Sequence, residues 1–187
     1  MGLATALLLA LLALLAIVVL LIIVGYNRLV VVRNRCDNAW SQIDVQLKKR
    51  TDMIPNLVGT VKGYAAHEKG VFEEVAKARS GLMNASGVTE VSQADGNLTK
   101  ALKSLFAVAE NYPQLKADAQ FRLLQEQIEG MESKIAYARQ FYNDNIMDYS
   151  NSTQAFPGNI LAGMFNFKQK EYYQIGEADR EPVKVKF

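Results

Sequence analysis

LATALLLALLALLAIVVLLIIVGYNRLVVVRNRCDNAWSQIDVQLKKRTDMIPNLVGTVKGYAAHEKGVFEEVAKARSGL, residues 3–82, decides the fold. Its first part, residues 3–26, carries no charge. At ~1.5 Å per residue those positions exceed the ~30 Å hydrocarbon core of a bilayer, so the sequence predicts a transmembrane helix. A cleaved signal peptide fits less well: the apolar run is longer than a usual h-region, no basic region precedes it and no small-x-small site follows Val24. The basic residues close to the span follow it, at Arg28, Arg33 and Arg35, which predicts a short external N-terminus and a cytoplasmic remainder.

The second part repeats. From Trp40, steps of three and four reach Ile43, Leu47, Arg50, Ile54, Leu57, Val61, Tyr64, Glu68, Val71, Val75, Ala78 and Leu82, an apolar seam broken only by Arg50 and Glu68. That spacing predicts a long amphipathic helix in need of partners, running without a breaker from the anchor. Pro55 lacks the N–H that would serve the Thr51 carbonyl, so a kink or break is expected there; because the seam stays in phase on both sides, a kinked continuous helix is favoured over two helices folded back on each other. Charged residues at seam positions cost stability unless paired, and Arg50 and Glu68 are candidates for fixing register between subunits.

Farther along, Gly81, Asn84, Ser86 and Gly87 predict a reversal. A second helix follows from about 89 to 110 on Leu98, Leu102, Leu105 and Ala109, ended by Asn111-Tyr112-Pro113. The third is the most regular: Ala117, Phe121, Leu124, Ile128, Met131, Ile135, Ala138, Tyr142, Asn145 and Tyr149. A short helix is expected within 159–167, and the last residues are read as extended. The fold class is therefore all-α: an N-terminal transmembrane helix continuous with an elongated antiparallel bundle of three long helices, the first kinked at Pro55, plus a short C-terminal helix. The expected division is an anchor at 1–26, a cytoplasmic helical bundle at 27–170 and an extended tail at 171–187.

The remaining composition mostly excludes. The chain has 187 residues, 21 basic and 19 acidic, interleaved without a basic stripe, so no nucleic acid is expected as partner. Cys36 is the single cysteine, read as a small apolar filler on a helix, with palmitoylation as the competing reading. His67 is the single histidine, with Tyr64 three residues before it and Val71 four after, so neither a di-iron nor a zinc-protease constellation can be built around it. Glu126, Glu129 and Glu132 lie off the third helix's seam and read as a solvated face. No cofactor, metal or catalytic residue is expected.

The blocks YNRLVVVRNRCDNAWSQIDVQLKKRTDMIPNLVGTVKGYAAHE (26–68), ENYPQLKADAQF (110–121), ARQFYNDNIMDYSNSTQAFPGNILAGMF (138–165) and KEYY (170–173) resemble the bacterial LemA family, in the family's order and over nearly all the chain beyond the anchor. Gly59 and Cys36 depart from its pattern, where an acidic and an aliphatic residue are usual. The resemblance implies a single-pass inner-membrane protein with a cytoplasmic helical bundle and no established enzymatic activity.

Two functions follow as expectations. One is a membrane-anchored scaffold that self-associates through its long helices, with the lipid bilayer and copies of itself as partners. The other is a monomeric tethered adaptor or signalling module that docks an unidentified protein through exposed aromatics, Phe165, Phe167, Tyr172 and Tyr173.

Overall fold

The computed structural model describes residues 2–174; of the tail expected at 171–187, all beyond 174 lies outside the described residues. Among the described residues every regular element is helical: α1 (Leu3–Tyr64), α2 (Lys69–Asn84), α3 (Val88–Ala109), α4 (Pro113–Ala117), α5 (Ala119–Gln154) and α6 (Gly158–Met164). The all-α expectation holds. Two compact units share α1 and α5: among the described residues the first comprises 2–39 and 144–170, the second 40–143 and 171–174.

In the second unit, α1 passes through Pro55 and ends at Tyr64. The carbonyl that Pro55 deprives of an amide partner is not left bare, because the Arg79 Nε–H donates to the Thr51 oxygen at 2.9 Å. Residues 65–68 then form a turn, with the Glu68 N–H on the Ala65 carbonyl and the Lys69 N–H on that of His67. The chain doubles back here. Lys62 lies 5.3 Å from the Phe72 ring centroid, and Arg79 reaches Thr51, so α2 runs antiparallel along the end of α1.

This corrects the single helix expected to reach residue 82. The seam stayed in phase on paper, yet the buried residues slip by one: Tyr64 is exposed and Ala65 buried, and Phe72 is more deeply buried than Val71. The partner that the α1 stripe required is thus supplied first by its own continuation.

The reversal expected near 81–87 is also present, between α2 and α3. Gly87 has φ +78°, a left-handed conformation that L side chains rarely adopt. Glu90 reaches back to accept from the Ser86 N–H at 2.8 Å. Leu98, Leu102, Leu105 and Ala109 then bury the α3 stripe. Asp118 caps α5 by accepting from the Phe121 N–H at 2.8 Å, which with the Tyr64 hydroxyl holds its carboxyl below the usual carboxylate range.

The α5 residues Phe121, Leu124, Ile128, Ile135 and Ala138 are buried as the spacing predicted. Contacts pair α5 antiparallel with α1 (Arg50 with Glu132, Tyr64 with Asp118) and with α3 (Phe106 with Phe121, Asp95 with Arg139). Four helical segments of alternating direction therefore enclose this core, one more than expected, because the first rod is two helices.

In the first unit, residues 3–21 of α1 are exposed along their length. This helix is long and apolar enough to cross a membrane, which fits a membrane protein. Beyond it, Leu29, Val32, Cys36 and Ala39 of α1 and Ile146 and Tyr149 of α5 are buried. The Cys36 thiol donates to the Asn145 carbonyl at 3.2 Å. After Gln154 the chain turns through the cis Phe156–Pro157 bond into α6. Leu161 and Ala162 of α6 form a small core with Leu29, against which Ile22 and Phe167 pack. A Cβ at Gly25 would meet the end of the Leu161 side chain, which would have to move aside.

Candidate functional site

The polar residues that the seam could not accommodate meet in the core of the second unit. Arg50, 0 % exposed, donates to Asp95 Oδ1 at 2.7 Å, to the Asp95 carbonyl at 3.3 Å and to Thr99 Oγ1 at 3.2 Å. Its other terminal nitrogen pairs with Glu132. The remaining oxygen of Asp95 accepts from Arg139 and from the Tyr173 hydroxyl. Two cations and two anions therefore neutralise one another, with a tyrosine as the last donor.

Residues 171–174 bring that tyrosine. Asn143 grips the segment on both sides of Tyr173, accepting from its N–H at 2.9 Å and donating to its carbonyl at 3.0 Å. The Tyr142 hydroxyl donates to the Glu171 carbonyl at 2.9 Å. Trp40 stands 5.6 Å from Tyr142 and 6.4 Å from Tyr173, centroid to centroid.

Burial in an apolar surround disfavours charge and must be offset by partners. Burial alone would lower the Arg139 pKa, but the Asp95 carboxylate and neighbouring charges overcome it and raise the value. Burial, followed by the Asp95 charge, pushes the Tyr173 phenol above its ordinary value, so it stays protonated and can donate. The arrangement is chemically a lock: each charged group meets one of opposite sign, leaving only the buried Nε–H groups of Arg50 and Arg139 without a hydrogen-bond partner among the described residues, and no nucleophile is freed by a base. Among the described residues no cluster of His, Cys, Asp or Glu could hold a metal ion.

Arg50 was expected to face a neighbouring subunit; it is instead taken up inside its own chain. Glu68 sits in the turn between α1 and α2 and accepts from the Tyr112 hydroxyl at 3.0 Å. Glu132 was read as part of a solvated face, yet it is one of the partners of Arg50 and only partly exposed. Asp95, Thr99 and Arg139 were missed. The spacing held a signal for Asp95: it lies three residues before Leu98 and so extends the α3 stripe, placing an acid on one stripe to match the base on another.

The other candidates lie in the first unit. Arg28, Arg33 and Arg35 follow the apolar segment and are exposed; Arg33 stands 5.4 Å over the Phe167 ring. Of the four aromatics expected to be exposed, Tyr173 is buried because Asp95 and Trp40 receive it, and Phe167 is half-buried. Phe165 and Tyr172 remain exposed, Phe165 edge-on to Tyr26 at 4.8 Å. Cys36 is buried, and burial pushes its thiol pKa up, as expected of a filler and not of an acylated cysteine.

The chain is thus an all-α protein with a membrane-length apolar N-terminal segment. Residues 39–187 match the LemA family, and the chain belongs to that family. It is 25% identical over 188 residues to magnetosome protein MamQ 2 of Paramagnetospirillum magneticum, an alignment covering 87% of this chain and 69% of that protein. Magnetosome protein MamQ of Magnetospirillum gryphiswaldense is 24% identical over 188 residues, with the same coverage. Protein LemA of Metamycoplasma hominis is 26% identical over 162 residues, covering 84% of this chain and 72% of that one.

Proposed function

We propose that this chain is a membrane-anchored structural protein of the bacterial inner membrane, with its N-terminus outside and its helical remainder in the cytoplasm, that self-associates to organise the membrane around it. The observation that carries the reading is the bare apolar length of α1, residues 3–21, which its own chain leaves uncovered. Lipid is the natural cover, and the arginines that follow support a cytoplasmic remainder by the bias of basic residues toward that side. Relatives named as magnetosome proteins are in keeping with a membrane-associated role.

Self-association draws on a different surface from the seam, which the chain fills itself. On α5, Leu123, Tyr137 and Phe141 are exposed, Tyr137 at 70 %. Their spacing of fourteen and four residues puts them on one line of the helix. Glu126, Gly130 and Lys134 interrupt that line, so the contact is placed on Tyr137 and Phe141, one turn apart. The adaptor alternative has lost Tyr173 from its docking surface, and we favour self-association.

The test is the native mass of full-length protein in nanodiscs, beside the variant Tyr137→Glu/Phe141→Glu. A discrete multimer that falls to monomer in the variant supports the reading. A monomer throughout overturns the scaffold and leaves the adaptor.

A further inference from the structure

Between α6 and the apolar segment of α1 runs a groove of about 520 Å³, within the size range of small-molecule sites. Its α1 wall is made by Val18, Leu21, Ile22 and Gly25, whose three-and-four spacing lines one helix face. The opposite wall includes Ala155, Phe156 and Ile160. At the end of the apolar segment the lining changes character, to Arg28, Asn151 and Ser152. These three also line an adjoining depression that adds Asn27, Arg35 and Asp148. Arg28 and Arg35 are exposed, and Asp148 is the one acid among the residues lining this depression. The outer side of the turn and α6 is apolar as well, with Phe156, Ile160 and Met164 exposed.

We infer that this groove binds one anionic phospholipid, an acyl chain lying against Val18 and Leu21 and the phosphate on Arg28 and Arg35. The argument is one of complementarity along a single direction. A ligand for this groove must be apolar beside the membrane-length segment and anionic where that segment ends. A lipid of the leaflet that ends at Arg28 presents its chain and its phosphate in that order. The exposed apolar side of α6 suits the boundary between acyl chains and headgroups, where amphipathic segments lie. The site rests on the reading of residues 3–26 as a membrane span.

Full-length protein is reconstituted in nanodiscs holding phosphatidylglycerol and phosphatidylcholine with identical chains, released into mild detergent, and examined by native mass spectrometry for retained lipid. One bound phosphatidylglycerol is expected, favoured over phosphatidylcholine roughly thirtyfold, the order that two arginines near a headgroup supply. Ala155→Trp, which fills the groove from a solvent-exposed position, should abolish retention of both lipids; Val18→Trp repeats the test from the other wall. The double variant Arg28→Gln/Arg35→Gln should keep a lipid but lose the headgroup preference.

Equal retention by the wild type and the two tryptophan variants overturns the proposal, as does equal retention of the two headgroups by the wild type. A lipid-free dimer overturns it too and assigns the groove to a second copy. Liposome flotation separates the two readings: a wild-type protein that floats yet retains no lipid sinks only this site, whereas one that does not float sinks the membrane span with it.

Discussion

The two units each take a stretch of α1 and of α5, to which the second adds α2, α3 and α4 and the first α6, and they hold themselves together by different means. In the second, Arg50 and Asp95 are buried in the middle of the core and bind the segment carrying Tyr173. In the first, among the described residues, no charged side chain is buried, and Leu29, Leu161 and Ala162 close the packing with aromatics around them. An apolar core tolerates many arrangements of similar volume, whereas a buried ion cluster tolerates only the one in which every charge is met. The difference teaches that the second unit is specified by satisfaction of charge and the first by fit.

If so, the largest losses should come from the ion cluster. Arg50→Met leaves Asp95 and Glu132 without their shared cation, and urea unfolding should show a loss of about 3–5 kcal/mol. Arg50→Met/Glu132→Met should recover a good part of that, since Asp95 keeps Arg139 and Tyr173; a double variant as unstable as the sum of the single ones would break the comparison. Next comes the first unit's own core: Leu161→Ala should cost about 2–4 kcal/mol, with no recovery by any charge change.

Alkaline pH sharpens the contrast. The Tyr173 phenol has its pKa raised by burial and by Asp95, so the folded state keeps its proton where the unfolded state loses it. Its contribution is complete below the ordinary value of 10.0 and falls as pH rises above it, by up to about 1.4 kcal/mol per pH unit. The difference in stability between wild type and Tyr173→Phe, followed by denaturant melts from pH 8 to 11, should shrink with that slope; a flat difference contradicts the buried donor.

The smallest effect concerns Pro55. Arg79→Met should cost about 1–3 kcal/mol by orphaning the Thr51 carbonyl. Pro55→Ala should make the Arg79 change nearly silent, since the restored amide then serves that oxygen. Additivity in this cycle would mean that Arg79 acts elsewhere.

Much of this was legible. The apolar run, the stripes on α3 and α5 and the reversal at Gly87 follow from periodicity and turn chemistry, which are local. The turn at 65–68 was not, because Ala65-Ala66-His67-Glu68 holds no breaker and the heptad count crossed it in step. The clue was quality: Tyr64 and Glu68 are the weakest members of the seam, and Ala65 and Phe72 beside them make a better stripe.

The ion cluster was half legible. An arginine on a seam calls for a buried acid, and Asp95 stood on the α3 stripe at the right spacing. Glu132 and Arg139 could not be told from a solvated face, since their burial depends on which helices face them. Tyr173 was beyond local rules altogether, coming from a non-helical segment whose place is set by Asn143 and Trp40.

That last residue has a consequence for biogenesis. Asp95 follows Arg50 by 45 positions, and Tyr173 follows Asp95 by another 78. At ~5–20 residues per second, translation delivers the tyrosine about 4–16 s after the aspartate. The apolar segment is made before the closing donor, so a nascent chain that has not reached Tyr173 carries an incompletely satisfied ion cluster. Such chains open more readily and are preferred substrates for proteolytic triage. The order of synthesis thus leaves the closing of this core to the segment that carries Tyr173.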